Sequence, residues 1–210
     1  MRWARIVTVA VLLAAAGCAS DGGQRGTGIS SFAGNVVAID RGAAAAAPVD
    51  LGLAGITVAV EGMDVHAETD AEGRFTLLGP FGGETAVRFE RDADGIEARL
   101  SVNAPAGGTT TLHDVTLQTG SGVAMPAATY VDFEGRVVAL DCAADRLTCV
   151  SVGEADGDDD GYVILLTDST VHDEDGHALV CADFAVGDHM RVDGAYAEDG
   201  TIAQANLTRH

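Results

Sequence analysis

The stretch Gly55-Ile-Thr-Val-Ala-Val-Glu-Gly62, followed by Thr69-Asp-Ala-Glu-Gly-Arg-Phe-Thr-Leu77, restricts this region to β structure before any other feature is considered. Ile56, Val58 and Val60 alternate with Thr57, Ala59 and Glu61, the period of two that puts one face of a strand in a core. Asp70 can accept hydrogen bonds from backbone N–H groups nearby, and Gly73 can take a positive φ. A tight turn then returns Phe75 and Leu77 to the same core. Strand, Asp/Gly turn and strand form a β-sandwich module.

The same alternation continues in Ala86-Val-Arg-Phe-Glu90 and Glu97-Ala-Arg-Leu-Ser-Val102, with Asp92-Ala-Asp-Gly95 as the turn between them. Leu112-His-Asp-Val-Thr-Leu117 closes the set, and no segment carries helical spacing. Leu53-Ala-Gly-Ile-Thr-Val-Ala-Val60 with Thr69–Leu77 resembles the carboxypeptidase regulatory-like domain, of transthyretin-like fold, over residues 31–118. The resemblance implies a seven-stranded Greek-key sandwich that usually serves as an accessory module. Residues 119–129, with Gly120, Gly122 and Pro126, read as a linker.

Residues 130–210 form a second series of short strands. Phe133–Leu140 opens it, Gly161-Tyr-Val-Ile-Leu-Leu166 is apolar enough for a barrel interior, and Gly200–Leu207 ends it. Phe184-x-x-Gly-Asp188-x-Met190-x-Val192-x-Gly194, then Asp199-Gly-Thr-Ile202, resembles a small OB-like barrel of unknown function found in bacterial secreted proteins and lipoproteins. The expected fold is therefore all-β: a Greek-key β-sandwich over 32–118, then an OB-like β-barrel over 130–210. OB folds often bind nucleic acid through basic, aromatic faces. Here every basic residue is Arg, the chain has 12 Lys+Arg against 32 Asp+Glu, and the net charge is −20. Such a surface repels phosphate backbones, so nucleic acid is excluded as a partner.

At the N-terminus, Arg2 and Arg5 precede an apolar run, Ile6–Ala16, too short for a stable membrane span. It ends in Leu13-Ala-Ala-Ala-Gly17-Cys18, which resembles the bacterial lipobox. That resemblance implies cleavage before Cys18 and acylation of its thiol and new amino group. Residues 1–18 are then the signal peptide and lipobox, and residues 19–31, rich in Gly, are a flexible tether. The expected location is the bacterial cell envelope, held to a membrane by lipid. Ala19 after the cysteine favours the outer membrane in a Gram-negative cell.

Three further cysteines remain for an oxidising compartment. A turn at 144–147 sets Cys142 opposite Cys149, pairs Leu140 with Ser151 and Val138 with Gly153, and allows a disulfide; Cys181 competes as a partner for either. No Cys-x-x-Cys supports redox catalysis.

Asp156-Gly-Asp-Asp-Asp-Gly161 places Asp156, Asp158 and Asp160 at the first ligand positions of an EF-hand loop. Thr167 stands where the bidentate Glu belongs, so calcium binding here is expected to be weak, the alternative being a solvated hairpin tip. No other cofactor is expected. His172-Asp-Glu-Asp-Gly-His177 collects imidazoles and carboxylates, but Asp175-Gly176 marks it as a turn. No His-x-x-Glu, Gly-x-Ser-x-Gly or phosphate-binding Gly loop occurs. These observations favour a non-catalytic envelope lipoprotein that displays two β-domains for structural or protein contacts. The alternative is a ligand-binding module for a glycan or calcium. The single Trp, Trp3, falls in the signal peptide, which removes the best sugar-stacking side chain.

Overall fold

The computed structural model describes residues 28–42, 52–152, 161–197 and 199–210. Cys18, the signal peptide, most of the tether and the Asp156, Asp158 and Asp160 loop lie outside those residues. Among the described residues there are fourteen strands, two single-turn 3-10 segments and no α-helix.

The first eight strands are β1 (Ser30–Asp40), β2 (Thr57–Val60), β3 (His66–Glu68), β4 (Arg74–Gly79), β5 (Gly83–Arg91), β6 (Ile96–Ala104), β7 (Thr109–Gln118) and β8 (Val123–Met125). β1 lies between antiparallel β4 and parallel β7. Facing this layer, β3, β2, β5 and β6 pair in that order, all antiparallel. β8 joins the layers at one end, pairing with β7 over three residues and with β6 only at Arg99 and Val123.

The alternation read from the sequence becomes burial. Ile56, Val58, Val60, Phe75, Leu77, Val87 and Phe89 share one core with Phe32 and Phe81. Phe75 meets Phe89 edge-on at 5.6 Å, and Phe32 lies 5.2 Å from Phe81. Such aromatic pairs add to the free energy of burying their area.

The turn between β3 and β4 is built around Asp70. Its Oδ1 accepts from the N–H groups of Glu72 at 3.0 Å and Arg74 at 2.8 Å, and its Oδ2 from Arg74 Nε at 2.9 Å. The Arg74 backbone N–H, then its guanidinium, hold the Asp70 carboxyl below the ordinary carboxylate range. A depressed folded-state pKa means that the native state binds fewer protons in that window. The stabilisation is complete above the unfolded value and disappears as pH falls through the folded one. Melting temperatures followed from pH 7 to pH 2 should therefore show an acid limb that Asp70→Asn flattens; an unchanged limb would show that other carboxylates carry it.

Residues 119–129 are not bare linker: they hold β8 and the start of β9 (Ala128–Asp141). β9 pairs antiparallel with β7 from Thr109 opposite Asp132 to His113 opposite Ala128, so one sheet runs from the sandwich into the second half. There β10 (Arg146–Ser151), β11 (Tyr162–Leu165), β12 (Thr170–Asp173), β13 (His189–Tyr196) and β14 (Thr201–Arg209) follow. The pairings β9–β10, β10–β11, β11–β14, β14–β13 and β13–β9 close a five-stranded barrel, with β11 and β14 parallel. β12 adds to β14 outside that ring. Val131, Phe133, Val137, Leu147, Tyr162, Ile164, Met190, Val192, Ile202 and Leu207 fill it. Gly194 is required at a barrel bend, because a Cβ there would lie 2.6 Å from the Ile202 side chain.

The hairpin β9–β10 corrects the expected cysteine pairing. Leu147 lies opposite Leu140 and Cys149 opposite Val137, four to five residues from the anticipated register. The turn falls at 142–145, with Asp145 at φ 51°. A turn at 144–147 would have spent Leu147 in a loop; the observed turn buries it to 1% exposure. Cys142 is thereby left at the barrel mouth and is bonded to Cys181, not Cys149, with Cα atoms 5.5 Å apart. Cys149 is free and buried, its Sγ 3.1 Å from Met190 Sδ.

Candidate functional site

Among the described residues, four places bear on function, and three of them are already committed. The Cys149 thiol is pushed up to about 12 by burial, so it stays protonated at neutral pH and is not an activated nucleophile. Around β12, the ligand atoms of Asp173, Asp175 and His177 lie within 4.8 Å of one another. Asp173, however, organises its own turn: Oδ1 accepts from the N–H groups of Asp175 at 3.0 Å and His177 at 2.8 Å, while Oδ2 meets His177 Nδ1 at 3.1 Å. Those bonds, the His177 N–H first, hold its carboxyl low. Asp175 and His177 are exposed, and the group is a hydrogen-bonded turn open to water. A third place, a shallow depression over β1, β4 and β7, has Arg74 as its cation. That guanidinium is engaged by Asp70 and Glu72, each at 2.9 Å.

The fourth place is a groove of about 380 Å³ where sandwich meets barrel. β6 and β8 touch at Arg99 and Val123 and then diverge, and Pro126 ends β8 by removing a backbone donor. β6 contributes Leu100, Ser101 and Val102, β8 and the residues after it Ala124 to Ala127, β9 Ala128 and Thr129, and the barrel Tyr196 with Ala197. Small side chains leave the space, and Tyr196 supplies a fixed ring. Its hydroxyl oxygen is hydrogen-bonded by the Asn103 side chain, and Asn103 Oδ1 accepts from the Tyr162 hydroxyl at 3.4 Å. Burial raises the Tyr196 phenol, which is neutral at neutral pH.

The backbone of the groove wall is as informative as its side chains. Arg99 N–H turns away from β5 and donates to Gly122 O at 2.9 Å. In an antiparallel pair donors and acceptors alternate in direction, so Ser101 and Asn103 also turn theirs away from β5, on the side where β8 runs.

None of these groove residues was picked out from the sequence. Pro126 beside Gly120 and Gly122 reads as a linker, and Tyr196 stands between Gly194 and Asp199 of the barrel resemblance without being one of its motif residues. The one available signal is the apolar run Val123-Ala-Met-Pro-Ala127 inside the segment read as a linker.

The architecture is thus an all-β protein with a sandwich continued into a five-stranded barrel. No family model matches the chain, and no curated protein is similar to it. Among solved structures, it is similar to a protein from Bacteroides uniformis provisionally described as carbohydrate binding. The identity is 12% and the TM-score 0.26, over 85% of this chain and 95% of that one. Similarity at that level carries no argument about function.

Proposed function

We propose that this chain is a non-catalytic, lipid-anchored protein of the bacterial cell envelope that binds a partner in the groove between its two β units. The observation that carries the reading is the groove itself: concave, largely apolar, with a hydrogen-bonded tyrosine and a few polar groups, as binding sites generally are. The first unit fits a carboxypeptidase regulatory-like sandwich in an accessory role, and the barrel supplies one wall of the site. Against catalysis, the described residues offer no activated nucleophile beside a base: Cys149 is buried with a raised pKa, and the His177 carboxylate partner shapes a turn.

A photo-crosslinking residue at position 196 tests the site in living cells. It should give discrete adducts with an envelope component, whereas the same residue at Val186, exposed on the barrel, should not. Equal or absent adducts would reject the groove as the binding site.

The anchor has its own test. Cys18→Ser should move the protein from the membrane fraction to the soluble fraction, with loss of lipid mass from the mature N-terminus. Unchanged partitioning would remove the lipoprotein reading. A glycan would occupy the same groove through Tyr196, Ser101 and Thr129.

A further inference from the structure

We infer that the outer face of β4, β1, β7 and β9 lies on the surface of the bilayer that holds the acyl anchor; this rests on the proposed anchor at Cys18. Composition, charge and the path of the chain each lead to that face.

The chain is 21% charged, yet residues 28–39, 75–83 and 100–112 contain no charged side chain. The register sets these runs side by side: Ser31–Gly34 of β1 pairs with Phe75–Leu78 of β4 and with Thr109–Leu112 of β7. Two rows cross the face from β4 to β9, Leu78–Ser31–Thr109–Asp132 and Thr76–Ala33–Thr111–Tyr130. Phe32, Phe75, Leu77, Thr110 and Val131 alternate with them and are buried.

The charges at the borders of the face are matched. Arg74 meets Asp70 and Glu72, each at 2.9 Å, and Asp132 meets Arg191 at 2.7 Å. Asp114 accepts from Asn35 Nδ2 at 3.0 Å. Unpaired carboxylates on a chain of −20 are repelled by phosphate headgroups, so a face of this kind is where it can approach lipid.

Side chains fit for a bilayer surface stand on or beside it. Leu78 is 64% exposed, Tyr130 42%, and Ile29, two residues before Ser31, 75%. His113 meets the Tyr130 ring edge-on at 5.1 Å. A tyrosine, apolar in its body and polar at its tip, suits the boundary between headgroups and acyl chains.

The path of the chain selects lipid over a freely diffusing partner. Gly28 follows Cys18 by ten residues, at most about 35 Å of extended chain, so β1 starts within reach of the membrane. A few apolar side chains bind a bilayer weakly by themselves. An anchor turns their insertion into an intramolecular step at high effective concentration.

The test uses the full chain, extracted with its acyl groups and returned to phosphatidylcholine vesicles. One environment-sensitive fluorophore is attached through Leu78→Cys, Thr111→Cys or, on the barrel, Val186→Cys. The expected result at 78 and 111 is blue-shifted emission and loss of acrylamide quenching, relative to the Cys18→Ser chain in solution. Position 186 should not change. Ile29→Asp with Leu78→Asp should return the reporter at 111 to its solution value. Phosphatidylglycerol vesicles should reduce the shift until salt is raised.

Equal quenching at 78 and 186 on vesicle-bound protein overturns the docking but leaves the anchor. A shift that grows with the protein-to-lipid ratio overturns it in favour of a second copy of this chain. If the extracted chain carries no acyl group, anchor and docking fall together.

Discussion

Breaking the Cys142–Cys181 bridge is expected to cost about 4 kcal/mol, among the largest single losses available in this molecule. The bridge closes a loop of sequence separation 39, and a cross-link of that span removes a correspondingly large part of the unfolded chain's freedom. It ties the β9–β10 turn to the 3-10 turn Cys181–Asp183, the segment that leads from β12 back into the barrel. Cys181→Ser and Cys142→Ser should each lower the denaturation midpoint, and dithiothreitol should do the same to the unmodified chain but not to either variant. Cys149→Ala should cost far less, about 1 kcal/mol for the lost packing against Met190. If instead Cys149→Ala matched the loss from Cys142→Ser and peptide mapping found Cys142 joined to Cys149, the hairpin register described above would be wrong. Thiol labelling gives an independent reading: with its pKa at about 12 and its side chain buried, Cys149 should react only on unfolding.

Gly73→Ala should be nearly as damaging, at about 3 kcal/mol or more. Two costs combine there. Gly73 holds φ 76°, which a side chain disfavours by about 1 kcal/mol. In addition, an added Cβ would stand 2.1 Å from the Val36 carbonyl oxygen, and Gly73 O accepts from Val36 N–H at 2.9 Å. The Asp70 turn is thus docked against the backbone of β1, so the clash cannot be relieved by turning a side chain. Gly95→Ala is the control. It has φ 63° with nothing within 4 Å of the new Cβ, and should lose only the conformational part. Urea denaturation of both variants measures the difference, and equal losses would mean that the contact with β1 has no weight.

Gly73 also shows how far the sequence could be read. That this glycine sits at positive φ in an Asp-led turn follows from local chemistry, and so does the burial of Ile56, Val58, Phe75 and Leu77, because the period of two is a property of one strand. Which strand lies beside which is not local. The docking of the turn on Val36, the continuation of β7 into β9 and the register around Leu147 all depend on distant partners that alternation does not name. The cysteine pairing failed for that reason: spacing placed Cys149 opposite Cys142, whereas the burial of Leu147 decided the register. The groove was invisible for a related reason. It is lined by residues of β6, β8, the start of β9 and the end of β13, which are brought together only by strand pairings far apart in sequence. Cys18 and the carboxylates of Asp156, Asp158 and Asp160 lie beyond the described residues and remain expectations of sequence alone.

The position of β1 bears on how the protein withstands pulling. Its N-terminal end at Ser30 is where the chain arrives from the proposed anchor, and it is flanked by β4 and β7 along most of its length. Tension between a membrane and a captured partner would run along this strand, parallel to its neighbours. All the ladder bonds to β7 would then be loaded in shear together, whereas a peripheral hairpin pulled from its tip gives way one bond at a time.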